Sequence, residues 1–374
     1  MANLPLNPAL QGLPVYQPGR PIDEVAREFG LPASEIIKLA SNENPLGPSP
    51  KALAAMRELL PELHLYPDGT AFHLKRRLAV GFALRPENII LGNGSNEIIE
   101  FIGHALMRPG TEIVVSEYCF AIYPLIARMM GASVVTVPAK DYGHDLAAMR
   151  RAISDSTTVV FVANPNNPTG TLATREEVLA LVESVPAHVL LVLDEAYIEF
   201  LDDPVDLLPW IRSGARPNLL IMRTFSKIHG LAGLRLGYGI AVPEVTGALE
   251  KVRQPFNINA LAQAAALAAL DDAEHVRRTR DVNRAGLVEL SRACQALGLS
   301  VVPSAANFLM VEVGDGQRVF LELQRRGVIT RPMGGYGLPR HIRISVGTAE
   351  QNRRCIDALQ AVLGRESAPS VGGG

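Results

Sequence analysis

The sequence is poor in the features that mark several large classes of protein. It has three cysteines in 374 residues, Cys119, Cys294 and Cys355, far apart and odd in number. No CxxC pair and no Cys/His set with metal-ligand spacing occurs, so neither a disulfide framework nor a zinc site is indicated. Charge of either sign is nearly balanced at a net -2, which argues against nucleic acid or an anionic membrane as the main partner. The arginine pairs Arg150-Arg151, Arg277-Arg278 and Arg353-Arg354 read as solvated helix faces. No apolar run reaches transmembrane length, and no opening stretch has the plan of a signal peptide, so the expected location is the cytoplasm. There is no internal repeat. No helix-turn-helix segment or basic extension supports a regulator's ligand-sensing domain.

What is present is a long, apolar chain, 48% hydrophobic, enough for two domains with a substantial core. The first 40 residues are rich in proline and glycine and read as an extended arm with a short helix around Ile22–Phe29. From about residue 68 to 250, short Val/Ile/Leu-rich segments alternate with helical ones. Strands are expected at 89–91, 112–116, 133–138, 157–163, 188–193, 219–223 and 237–241. Helices are expected at 96–106, 121–130, 146–152 and 175–185. That alternation predicts an α/β fold with a mostly parallel central sheet between helices. After residue 255 the texture changes to long Ala/Leu-rich helices, 260–271 and 273–297, then strands in "SVVPSAANFLMVEV" and "HIRISVG", with helices at 317–326 and 349–363. This predicts a smaller α+β domain. The expected division is an arm at 1–40 packing on the small domain, a large domain at 41–265, a small domain at 266–364 and a disordered tail at 365–374.

The most informative stretch is "RTFSKIHGLAGLRLGYGI". Ser226 and Lys227 follow a buried strand, and Arg235 lies in the glycine-rich run beyond. Burial lowers a lysine's pKa, and a desolvated amine is what forms a Schiff base with a carbonyl compound. Ser226 and Arg235 both suit phosphate, so the pair of features suggests pyridoxal 5'-phosphate. In "ILGNGSNE" a strand passes through Gly94 into a helix at Ser95–Asn96, a ready anion site. The dinucleotide fingerprint fails at Glu97, and the lysine of a nucleotide phosphate loop is missing. In "VANPNNPTG" two Asn-Pro steps follow a strand, one of them a candidate for the cis form, and hold an amide over the sheet edge. "LLVLDEAYIEF" places Asp194 at a strand end, where a protonated pyridine nitrogen would be a partner, with Tyr197 three residues on. In "HIRISVG" Arg343 faces away from Ile342 and Ile344 and suits a carboxylate or phosphate.

Together, in this order and spacing, the motifs resemble the fold-type I pyridoxal-phosphate-dependent aminotransferases over nearly the whole chain. "LASNENPLGPSP", "YPDG", "NPNNPTG", "DEAYIEF", "RTFSKIHGLAGLRLGYG" and "IRISVGT" are similar to the histidinol-phosphate aminotransferase family. The resemblance implies that Lys227 forms the Schiff base and shuttles the proton, and that Asp194 pairs with the pyridine nitrogen. It implies that Asn167 and Tyr197 bond the phenolic oxygen, and that Gly94, Ser95, Asn96, Ser226 and Arg235 cradle the phosphate. Phe120 would stack on the ring, with Tyr118 as the alternative. Tyr66 would reach the neighbouring subunit's phosphate, implying a homodimer. Arg343, Arg331 and Tyr16 would bind substrate.

The implied reaction interconverts L-histidinol phosphate and 2-oxoglutarate with imidazole-acetol phosphate and L-glutamate, in histidine biosynthesis. Two alternatives share the fold: an aromatic or broad-range amino-acid transaminase, and a decarboxylase of threonine phosphate.

Overall fold

Strand periodicity explains most of the architecture. The computed structural model describes residues 7–10, 12, 13, 15 and 19–364. In chain order its strands are β1 (Ile37–Lys38), β2 (Ile89–Asn93), β3 (Glu112–Ser116), β4 (Ser133–Val137), β5 (Thr157–Ala163), β6 (Leu190–Asp194) and β7 (Leu219–Thr224). There follow β8 (Leu236–Ile240), β9 (Ser300–Val302), β10 (Phe308–Glu312), β11 (Val328–Ile329), β12 (Arg331–Pro332) and β13 (His341–Ser345).

β2 to β8 form one sheet in the order β2-β8-β7-β6-β5-β3-β4. The run from β4 to β7 is parallel, and β8 enters antiparallel between β7 and β2. Doubly covered parallel strands are near-continuously apolar, as "VVFVA" and "LLVLD" are. Helices Ser95–Leu106 and Ile122–Met129 cover one face through Ile98, Ile99 and Ile126. Helices Arg175–Ser184 and Ala260–Leu270 cover the other through Val178, Leu181 and Ala265. Side chains alternate across a strand, so Leu190 and Val192 join the first core, and Leu191 and Leu193 the second. Asp194, in phase with Val192, therefore emerges on the face where Tyr123 and Phe161 pack.

The C-terminal layer is an antiparallel sheet, β12-β13-β10-β9, backed by helices Ala273–Ala296, Gly316–Gln324 and Ala349–Leu363. Its core holds Leu290, Leu309, Val311, Ile342, Ile344 and Leu359. The helix Ala260–Leu270 packs on the larger layer through Ala262, Ala265, Ala266 and Ala269, so the chain crosses to the smaller layer at Asp271–Asp272 rather than at residue 265.

Four further features differ from the sequence-based expectation. The arm is not wholly extended: beyond the expected helix Ile22–Phe29, β1 pairs in parallel with β11, Ile37 opposite Val328. Ile37 and Leu39 join the smaller core because "EIIKLA" carries enough apolar surface to be drawn in. A helix not anticipated spans Pro50–Leu59, with Pro50 in its first turn and Ser49 Oγ accepting from the Ala52 N–H at 3.1 Å. Another spans Phe72–Gly81. Both Asn164-Pro165 and Asn167-Pro168 are cis. All three cysteines are free and buried. Among the described residues no helix is long and apolar enough to cross a membrane.

Leu290 is fully buried between the long helix and the antiparallel sheet. Leu290→Ala should lower unfolding free energy by about 2–5 kcal/mol, read from denaturant titration of the C-terminal layer's signal.

Candidate active site

The carboxyl ends of β2, β3, β5, β6 and β7 meet the amino end of the reversed β8 at one sheet edge. Ligands bind at this kind of edge in open α/β sheets. A cavity of about 400 Å³ opens there. It brings together Ser95 and Asn96 after β2, Phe120 after β3, Asn167 after β5, and Asp194 and Tyr197 after β6. Ser226 and Lys227 after β7, and Arg235 before β8, complete the wall.

Lys227 is half-buried, and its Nζ donates to the Ser41 carbonyl at 3.2 Å and lies 5.8 Å from the centre of the Tyr197 ring. Burial first, then the Arg343 guanidinium, lowers its pKa to about 8. Asp194 is also enclosed; burial raises its pKa, while Tyr123 Oη donates to its Oδ2 at 2.6 Å and the Ala196 N–H to its Oδ1 at 3.2 Å. The Tyr123 ring is itself held at 4.5 Å, nearly coplanar, against Phe161.

At the other end Arg235 meets the turn after β2. A Cβ at Gly94 would stand 2.5 Å from Arg235 Nη2, and one at Gly237 would stand 2.3 Å from the Ser95 nitrogen. Glycine at both positions lets Arg235 and the start of β8 pack directly on that turn, at the amino end of helix Ser95–Leu106, whose dipole favours an anion. Arg235 itself has a left-handed backbone, φ 57°. Phe120 lines the cavity, whereas Tyr118 stacks on Tyr142 at 6.1 Å and joins the C-terminal layer's apolar cluster.

Arg343 is buried on β13 and donates from Nη1 to Asn167 Oδ1 at 2.5 Å and from Nη2 to the Ala40 carbonyl at 2.9 Å. Its guanidinium lies 5.1 Å from the Phe308 ring centre. Arg331 on β12 is directly opposite it in register, so the two arginines share one face of the sheet. Tyr66 stands apart from the cavity, 83% exposed and stacked on Phe256 at 4.8 Å. Tyr16 and the tail 365–374 lie outside the described residues.

The family model for class I and II aminotransferases matches residues 34–359. The chain belongs to the class I and II aminotransferases. Within them it is 52% identical over 359 residues to histidinol-phosphate aminotransferase 2 of Ralstonia nicotianae, covering 94% of this chain and 96% of that one. It is 50% identical over 364 residues to the Pseudomonas fluorescens protein of the same name, covering 96% and 97%. The fold matches that of histidinol-phosphate aminotransferase from Sinorhizobium meliloti in complex with pyridoxal-5'-phosphate, with TM-score 0.88, 31% identity and coverage of 96% and 97%. It also matches an aspartate aminotransferase from Thermus thermophilus, with TM-score 0.81, 26% identity and coverage of 96% and 99%.

Sequence reasoning missed four residues at or beside this aminotransferase's cavity. Tyr123 was hidden in an ordinary helix, and its role depends on its meeting Asp194 across two strands. Ser41 and Glu43 line the cavity, and Asn42 reaches Tyr197, all from "LASNENP", whose polar run after an apolar one was the available signal.

The amine of Lys227 should react as a neutral nucleophile at unusually low pH. A base with its pKa lowered from 10.5 to about 8 gains neutral fraction at neutral pH, on the order of 10²-fold. Reductive methylation of the ligand-free protein by formaldehyde, with Lys227 quantified by mass spectrometry, should show a midpoint near the lowered value. Exposed lysines should react only at higher pH.

Proposed function

We propose that this cavity is the active site of a pyridoxal 5'-phosphate-dependent transaminase that passes an amino group from L-glutamate to imidazole-acetol phosphate, giving 2-oxoglutarate and L-histidinol phosphate in histidine biosynthesis. The observation that carries the reading is one cavity lined by a half-buried amine, Lys227, a buried carboxylate, Asp194, and Arg235 beside the amino end of a helix. The residues fit the group: Ser226, Arg235 and the amino end of helix Ser95–Leu106 line one end of the cavity and suit a phosphate, and Asp194 retains acceptor capacity beyond its bond to Tyr123. When bound, pyridoxal phosphate supplies an electron sink for the bond breaking at the substrate's Cα.

The chain's residues do the rest. Lys227 holds the cofactor's carbonyl carbon and, once released, takes the proton from Cα and returns it at C4'. Asp194 keeps the ring nitrogen protonated, and Tyr123 keeps Asp194 in place. Gly94, Ser95, Asn96, Ser226 and Arg235 hold the phosphate, and Phe120 packs on the ring face. Asn167 and Tyr197 bond the phenolic oxygen. Arg343, with Arg331 and Tyr16, binds the carboxylate of glutamate in one half-reaction and the phosphate of the imidazole substrate in the other. A planar guanidinium accommodates either anion.

The active unit is a homodimer in the cytoplasm. Leu60, Leu63, Leu65, Tyr66, Phe72 and Phe256 are all between 46% and 83% exposed, and apolar exposure on that scale favours burial against a second copy. Tyr66 of each protomer would then serve the other's cofactor phosphate.

Glutamate should bleach the visible band of the pyridoxal-phosphate-loaded protein, and imidazole-acetol phosphate should restore it far faster than phenylpyruvate. Rapid restoration by phenylpyruvate would point instead to an aromatic transaminase. Lys227→Ala should lower turnover by on the order of 10⁴-fold. Mixing inactive Lys227→Ala and Tyr66→Ala proteins under subunit exchange should recover about a quarter of wild-type activity, because half the dimers gain one complete site. No recovery would place Tyr66 outside the partner's site.

A further inference from the structure

The segment Ala40–Asn44 runs between the two layers and meets the site at each step. The Ala40 carbonyl accepts from Arg343, the Ser41 carbonyl accepts from Lys227, and Glu43 lines the cavity. Asn44 Nδ2 donates to the carbonyl of Ile228, next to Lys227, at 2.9 Å. At its centre Asn42 is 1% exposed with φ 56°, a left-handed conformation that asparagine adopts more readily than most residues.

The structure orients the Asn42 amide with Oδ1 toward Ser345 and Nδ2 toward Tyr197. Its N–H donates to Ser345 Oγ at 2.8 Å, and the Ser345 hydroxyl donates in turn to Asn42 Oδ1 at 3.0 Å. The Asn42 carbonyl accepts from Asn307 Nδ2 at 3.0 Å. What remains is Nδ2, which has only hydrogens to offer, and it faces Tyr197 Oη at 2.9 Å. A phenol that accepts from an amide cannot point its single hydrogen back at that donor. The hydrogen therefore turns toward the cavity that Tyr197 lines.

We propose that Asn42 is a positioning residue that sets the polarity of the Tyr197 hydroxyl, making it a donor into the cavity toward the cofactor's phenolic oxygen. The inference rests on the transaminase reading and adds to it a residue that does not itself touch the cofactor. A donor on that oxygen stabilises its anion, and so favours loss of the proton that the loaded protein carries at Lys227. The other groups facing Tyr197 are Arg343 on β13, Asp194 on β6 and Tyr336 before β13. Lys227 also faces Glu43 and Arg235, and Tyr123 stands behind Asp194.

The test is a pH titration of the visible absorbance of the pyridoxal-phosphate-loaded protein, with no substrate present. Asn42→Asp keeps the shape and the left-handed backbone but offers only acceptors, so it takes the Tyr197 hydrogen and leaves the phenolic oxygen with Asn167 as its remaining donor. The midpoint should rise by about one pH unit. The added carboxylate charge is controlled by making the same change in a Tyr197→Phe background, where the extra rise should be no more than about 0.3 unit. Ser345→Ala removes the lock on the amide without adding charge and should raise the midpoint by about half a unit; it decides the matter if Asn42→Asp does not fold. Equal shifts in the two backgrounds, or no shift in Ser345→Ala, would overturn the role of Asn42 alone. A wild-type protein that takes up no pyridoxal phosphate overturns both this inference and the reading beneath it.

Discussion

Taking Lys227 and Asp194 out of water together is the constraint on which the rest of the site depends. Burial disfavours the charged form of each, lowering the lysine and raising the aspartate, while each charge partly restores the other. Neither group is left without polar contact: the Ser41 carbonyl meets the amine, and Tyr123 and the Ala196 N–H meet the carboxylate. That arrangement needs β6 and β7 adjacent and parallel, so that both strand ends deliver side chains to one edge. It also needs the face of Val192 to carry an aromatic floor, which Phe161 and Tyr123 provide.

The reversed strand β8 is the second structural requirement. Because it runs against β7, its beginning rather than its end reaches the site edge, and Arg235 arrives from just before it. The same reversal places Gly237 against the Ser95 backbone, so the turn after β2 and the start of β8 pack without intervening side chain. The C-terminal layer joins through single residues. Arg343 bonds to Asn167 on one side and Ala40 on the other, so a segment near the start of the chain, the sheet edge and the antiparallel sheet converge on one guanidinium.

Much of this was legible in the residues. Alternating Val/Ile/Leu runs and helical periodicity marked every strand of the central sheet to within a few residues, because doubly covered strands have nothing but apolar surface to offer. Ser95, Asn96, Asn167, Asp194, Ser226, Lys227 and Arg235 were legible because each lies near a strand end with a polar side chain that would be costly to bury idly. Other features were not. Helix Pro50–Leu59 lies among prolines that read as loop, though Pro50 starts it. β1, β11 and β12 have two residues each and exist only through their partners. Tyr123 and Asn42 act through contacts 71 and 155 positions away in the chain, and no local pattern encodes such a distance.

The cysteines carry a practical consequence. Cys119 is enclosed in the core on one face of the central sheet and Cys294 and Cys355 together in the C-terminal core, and burial raises each thiol, Cys119 and Cys294 to about 12. A thiolate is the reactive form, so the folded protein is chemically quiet toward alkylating probes without any cysteine having been removed. A single cysteine placed at exposed Val288 on the long helix would then be the one site a maleimide dye finds. Such a dye reports on the surroundings of the long helix by fluorescence in an otherwise native chain.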